Sequence, residues 1–208
     1  MRPAIVRALG GALTASLLAI TIPTVRVASA GGPTATAYFA GGCYWGVEAV
    51  FRHVRGVKHA TSGFAVPVTS GPASADPNAP NYVEAVKVEY DPSQVTYQQL
   101  LQVFFLVAHD PTEVNAQGPD IGPEYRSMVF VSDSAQRRAV ESYIAELTAD
   151  KSFPAPIATQ VGELLRFREA PADQQDYVAK NRATEYVTVN DLPKLEQLKT
   201  RFATLYRN

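Results

Sequence analysis

Ala35-Thr36-Ala37-Tyr38-Phe39-Ala40-Gly41-Gly42-Cys43-Tyr44-Trp45-Gly46-Val47-Glu48-Ala49-Val50-Phe51-Arg52-His53-Val54 reads as a strand, a turn and a helix in immediate succession. The run from 35 to 40 predicts a short strand, and the double glycine supplies the turn. Val47, Val50, Phe51 and Val54 then recur at helical spacing until Gly56 ends the helix. Cys43, the only cysteine of the chain, stands where the turn becomes the helix. A lone thiol forms no internal disulfide, so it is either an inert core residue or a reactive group. At the first turn of a helix it faces unpaired backbone N–H groups and the positive end of the macrodipole, both of which favour the thiolate. Two glycines before it and two large aromatic rings after it read as a site rather than as core filling.

Outward from this unit, strands and helices alternate. Strands are predicted over 58–64, 83–90, 125–131 and 159–167, with an edge strand at 187–190. In 83–90, Val86, Val88 and Tyr90 share one face and Lys87 and Glu89 the other, until Asp91-Pro92 breaks the run. Thr96 with Gln99 forms a capping box that starts a strongly apolar helix through Leu100, Leu101, Phe104 and Phe105 to about 108. Further helices are predicted over 132–149, 173–180 and 192–206, and the Pro-, Ser-, Ala- and Gly-rich stretch 66–81 reads as a surface loop. The expected fold class is α+β: a two-layer α/β sandwich with a ferredoxin-like core and additional elements.

Residues 1–30 read as a cleaved signal peptide. Arg2 and Arg7 form a basic start, 8–25 is largely apolar, and Ala28-Ser29-Ala30 is a small-residue cleavage signal. An uncleaved membrane anchor is the alternative, against which the small residues and the absence of a basic flank speak. The remaining 31–208 is the size of one catalytic domain, expected to be periplasmic or secreted, off the membrane and monomeric. Nineteen basic and twenty acidic residues, well mixed at net charge −1, argue against nucleic acid as a partner. Exported proteins often spend cysteines on structural disulfides, so a single one is a leftover or is kept for reactivity.

Three further places carry chemistry. Glu84 opens an otherwise apolar strand; inside an apolar cleft its carboxyl would have a raised pKa and serve as a proton donor, whereas on the outer face it would be merely solvated. Asp120-Ile121-Gly122-Pro123-Glu124-Tyr125 offers a carboxylate and a phenol close together, though a tyrosine at a strand start most often serves packing. His109 closes the apolar helix and reads as a C-terminal cap rather than a catalyst. His53, His59 and His109 lack metal-ligand spacing, so no metal is expected.

These segments together resemble the A-type peptide methionine sulfoxide reductases. The resemblance rests on Gly42-Cys43-Tyr44-Trp45-Gly46, on Glu84-Ala85-Val86 with Tyr90-Asp91-Pro92, and on Leu100-Leu101 with Phe104. It continues through His109-Asp110-Pro111 and Gln117-Gly118-Pro119-Asp120 to Tyr125-Arg126-Ser127, spanning about 35–180. The cysteine element is highly specific to that family; the other pieces are weak singly. The resemblance implies reduction of methionine S-sulfoxide, free or in oxidised proteins and peptides, and so protein repair after oxidative stress. It implies that Cys43 attacks the sulfoxide sulfur, Glu84 protonates its oxygen, Tyr125 hydrogen-bonds that oxygen and Asp120 supports the site. Tyr44 and Trp45 would hold the S-methyl group, which selects the epimer. No cofactor is implied.

Two departures stand out. The Gly-Tyr-Gly-Gly-type loop with a second site tyrosine is replaced by Gly63-Phe64 and the 66–81 stretch, and Tyr82-Val83 replaces the usual Gly-His-Ala run. Tyr82 sits two residues from Glu84, on the same strand face, from which a phenol would return to the site. The resolving cysteines that many relatives carry near the C-terminus are missing, so the Cys43 sulfenic acid requires an external thiol: a thioredoxin-like protein, glutathione, or dithiothreitol in vitro. The rival readings are a Cys-dependent hydrolase or acyltransferase with His109 as base, and an exported non-catalytic module binding oxidised Met-rich surfaces through Tyr44 and Trp45. A thiol peroxidase lacks its Pro-x-x-x-Thr-x-x-Cys element here.

Overall fold

The computed structural model describes residues 32–68 and 82–208, so the expected signal peptide and most of the 66–81 loop lie outside the described residues. In chain order the elements are β1 (Ala35–Ala40), α1 (Tyr44–Arg52), β2 (Val57–Pro67), β3 (Val83–Tyr90), α2 (Tyr97–Val103), β4 (Ala116–Gln117) and β5 (Asp120–Ile121). They continue with β6 (Met128–Val131), α3 (Ser134–Ala149), β7 (Gln160–Glu169), α4 (Tyr177–Lys180) and α5 (Leu192–Arg201).

The mixed α and β composition is as expected, and the sheet is a closed one of five strands, a feature that the expectation of a two-layer ferredoxin-like sandwich did not include. The main sheet closes on itself in the order β1-β3-β2-β7-β6, with β6 returning to β1. Closure follows from β1 pairing on both edges: Tyr38 lies opposite Lys87 of β3 on one side and Phe130 of β6 on the other. Among the described strands β6 and β7 alone run parallel. A closed sheet leaves no edge strand to protect. Its interior is narrow, and the side chains facing it are mostly small: Ala40, Ala65, Val83 and Ala85, completed by Met128 and Phe130. Alternation then turns Phe39, Val86, Val88, Val129 and Val131 outward against the helices.

That outer layer positions the site. Phe39 is fully buried between Phe51 of α1 at 4.9 Å and Phe104 at 5.0 Å, tying both helical segments to β1. Burying one such ring stabilises by roughly 1.5–3 kcal/mol. The capping box at Thr96 and Gln99 forms as read, and the helix widens into a π turn over Phe104–Ala108 before His109.

Two sequence expectations change in the C-terminal half. Val187–Asp191 is a π turn rather than an edge strand, leading directly into α5. Its β-branched residues suggested a strand. However, the Thr188 hydroxyl and the Asn190 amide donate to the carbonyls of Thr184 and Tyr186, four residues back, which favours a helical turn. Tyr125 closes a 3₁₀ turn, Pro123–Tyr125, and the strand begins only at Met128.

Candidate active site

Gly42 sits at φ +83°, and a Cβ there would lie 2.4 Å from Gln117, so both conformation and space demand glycine. The turn it makes delivers Cys43 as the N-cap residue of α1. Cys43 is 8% exposed, with the backbone N–H of Trp45 near its sulfur, and its side chain makes no cap hydrogen bond. Glu84 stands on the same face of β3 as Val86 and Val88, which face the helices, and its Oε2 accepts from the backbone N–H of Tyr44 at 3.1 Å. The outer-face alternative for Glu84 is therefore set aside by strand parity.

The electrostatics of this pair differ from the simple helix-dipole expectation. Burial first, and then the charge of Glu84, push the Cys43 thiol well above its ordinary range, against the pull of the Trp45 N–H and Tyr186. The resting sulfur at neutral pH is a thiol. Burial likewise raises Glu84 to about 7, opposed by the Tyr44 N–H and reinforced by the charges of Asp120 and Glu124. Half of its population thus carries a proton near neutral pH, the condition for an acid catalyst. Burial and the charges of Glu84, Asp120 and Cys43 raise Tyr125 to about 12, so it remains a phenol and a donor.

Tyr186 is the residue that sequence reasoning missed. Its hydroxyl donates to Asp120 Oδ2 and lies within hydrogen-bonding reach of the Cys43 sulfur. Tyr186 thus stands between the Cys43 sulfur and Asp120, and its single proton serves only one of them at a time. Nothing local marks Tyr186, which is brought in by the π turn that follows it. Trp45 is held by Tyr177, stacked at 3.6 Å, by Tyr186 edge-on at 5.7 Å, and by its indole N–H donating to Gln174 Oε1 at 3.1 Å. Tyr44 is buried, with Phe64 edge-on at 5.7 Å. Tyr82 joins this aromatic group through Phe64, edge-on at 5.1 Å. Among the described residues no polar contact links Tyr82 to Glu84.

Cys43, Asp120, Tyr186, Asn190 and Lys194 line a cavity of about 280 Å³ that opens to solvent. His109 does not serve the sulfur. Its Nδ1–H donates to the Phe104 carbonyl at 3.0 Å, and Nε2 accepts from the Ser127 hydroxyl at 2.7 Å. The carbonyl can only accept, so the tautomer is fixed, and burial lowers the ring's pKa to about 4. Among the described residues no three His, Cys, Asp or Glu side chains converge as a metal site.

Behind the nucleophile, Gly46 of α1 lies against the buried Asp191, whose carboxylate faces Lys194 at 3.6 Å. A Cβ at Gly46 would fall 2.2 Å from Asp191 Oδ1 and 2.8 Å from Lys194 Nζ. An exposed Gly→Ala change in a helix gains about 1 kcal/mol, whereas overpacking costs about 1–3 kcal/mol. Asp191 is fully buried and has little space to withdraw, so Gly46→Ala is expected to lower stability by about 1 kcal/mol or more. A rise in melting temperature would show that α5 yields freely.

Comparison with known proteins points to one family. The family model for peptide methionine sulfoxide reductase matches residues 35–205. The chain is similar to Peptide methionine sulfoxide reductase MsrA 2 of Mesorhizobium japonicum, 45% identical over 178 residues, covering 82% of this chain and 89% of the relative. It is 41% identical to the protein of the same description from Synechocystis sp., covering 82% and 80% of the two chains. Among solved structures it resembles methionine sulfoxide reductase A of Corynebacterium diphtheriae, with a TM-score of 0.59 and 33% identity over 74% of this chain and 78% of that one.

Proposed function

From the chain's membership of the peptide methionine sulfoxide reductase family, to which it belongs by these matches, we infer the course of its reaction. It is an oxidoreductase that reduces methionine sulfoxide and so repairs oxidised methionine. The observation that carries the residue-level reading is Glu84 held by the Tyr44 N–H beside the Cys43 sulfur. A sulfoxide is a weak electrophile until its oxygen is protonated. Protonated Glu84 gives its proton to that oxygen while Tyr125 donates a second hydrogen bond. The Cys43 thiol passes its proton toward Tyr186 and Asp120 as the sulfur attacks. The sulfur–sulfur bond formed in that attack then breaks as the hydroxyl passes from the substrate sulfur to Cys43, so the sulfoxide sulfur is reduced to the thioether and Cys43 is oxidised to the sulfenic acid. The S-methyl group lies against Tyr44 and Trp45, which fixes the S epimer once the oxygen is fixed by the acid.

Recycling requires two equivalents of an external thiol. The first displaces water from the sulfenic acid to give a mixed disulfide at Cys43, and the second releases Cys43 and the oxidised reductant. The donor is a thioredoxin-like protein or a small thiol such as glutathione. The basic start at Arg2 and Arg7 and the Ala28-Ser29-Ala30 signal support action in the periplasm or outside the cell. The hydrolase reading loses its base, because both ring nitrogens of His109 are engaged elsewhere.

One turnover without thiol tests this scheme. One methionine per enzyme is expected, together with a single added oxygen on Cys43 that dimedone captures, followed by mass spectrometry. A full equivalent of methionine with an unmodified thiol would mean that the electrons came from elsewhere.

A further inference from the structure

Asp110 and Glu113 line the same cavity as Cys43, along with Asp120 and Lys194. Lys194 is matched by buried Asp191 at 3.6 Å, which leaves the mouth negative. The two outer carboxylates are held in place. Asp110 Oδ1 accepts from the backbone N–H and the hydroxyl of Thr112, at 2.9 and 2.7 Å. Glu113 Oε2 accepts from the Gln117 side chain and the Gly118 N–H, at 3.0 and 2.7 Å. Large exposed apolar residues gather at the same place. Val189, 63% exposed, lines the cavity, while Val114, 73% exposed, precedes the β4–β5 hairpin and Ile121, 83% exposed, belongs to it, the hairpin's turn forming one wall. Single exposed aliphatic residues need no explanation, but three around one cavity that holds the nucleophile mark a surface for chain to lie on.

Resting on the reading of Cys43 as the sulfoxide-reducing residue, we propose that Asp110 and Glu113 are specificity residues that select oxidised methionine flanked by lysine or arginine in a polypeptide, with Val114, Ile121 and Val189 carrying the apolar stems of those flanking side chains. Lysine and arginine suit such a mouth because each joins an apolar stem to a cationic head. A cleft lined by one sign of charge concentrates ligands of the other sign, typically by ten-fold or more. Acidic flanks meet the same charges as repulsion.

Three capped peptides, identical except for Lys, Ala or Glu on both sides of one methionine S-sulfoxide, test the proposal. Formation of the reduced peptide in a single turnover without thiol is measured at low salt and at about 1 M salt, where screening acts within about 3 Å. At low salt the Lys peptide is expected to react about ten-fold faster than the Glu peptide, with Ala between them. The ratio should fall to within about two-fold at high salt and in Asp110→Asn, Glu113→Gln and the double variant. The carboxamides keep an accepting oxygen for the Thr112 and Gly118 bonds, so the loop is preserved. A purely structural loss would slow all three peptides alike, whereas loss of selectivity slows the Lys peptide and quickens the Glu peptide. Equal rates for the Lys and Glu peptides with the wild-type protein at low salt would overturn the proposal. So would a charge effect confined to steady-state turnover limited by a thiol protein, since the surface would then serve the reductant. No reduced product from any of the three peptides would instead overturn the assignment of Cys43 on which the proposal rests.

Discussion

Cys43→Ser is expected to abolish methionine sulfoxide reduction, with single-turnover methionine release down by on the order of 10⁴-fold or more, while the fold stays intact. The loss is large because two properties of sulfur are removed together. The serine hydroxyl is a far weaker nucleophile, and it lacks the sulfenic acid state that carries the oxygen away. Stability should change little. The buried hydroxyl has the Tyr186 phenol within reach as a partner, and a polar group that makes a hydrogen bond costs at most about 1–2 kcal/mol on burial. Circular dichroism and thermal melting would confirm that the comparison is between folded proteins. Turnover within ten-fold of wild type would end the case for Cys43, since no second cysteine exists to replace it.

Much of the frame is legible in the sequence because its signals are local. The strand–glycine–cysteine–helix unit, the Thr96 capping box and the face alternation of β3 each depend on neighbours a few residues apart, and each forms as read. Closure of the sheet is not local. It depends on Tyr38 finding both Lys87 and Phe130, which no periodicity encodes. The 187–190 stretch misled because β-branched residues favour strands only when no competing bond is available, and Thr188 and Asn190 supply such bonds. The same limit explains the site. Cys43, Glu84, Asp120 and Tyr125 were visible through motif and strand position, whereas Tyr186 and Tyr177 reach the sulfur and Trp45 from more than 130 positions away. The charge state of the sulfur was misjudged for a physical reason. The helix terminus does favour the thiolate, worth typically about 0.3–1 kcal/mol, but desolvation together with a neighbouring carboxylate outweighs it.

That balance makes Glu84 the controlling group of the first chemical step, and Glu84→Gln its sharpest test. The carboxamide keeps an oxygen for the Tyr44 N–H and fills nearly the same volume, so substrate affinity should hold. It has no transferable proton at neutral pH. The single-turnover rate is expected to fall about 10²–10⁴-fold, about 3–5 kcal/mol on the barrier. The pH profile carries the sign. The active form is the protonated acid, so the wild-type rate should be highest below pH 7 and decline as pH rises through about 7. The Cys43 thiol, held well above its usual range, adds no rising limb in that window. In the variant the decline should vanish along with most of the rate. Stability moves the other way: a folded-state pKa above the unfolded one means that wild-type protein loses stability as pH rises through about 7, a loss the amide escapes. Above that pH Glu84→Gln should therefore melt no earlier than wild type. A variant that keeps both the wild-type rate and its descending limb would show that the proton comes from another group, with Tyr125 next to be replaced.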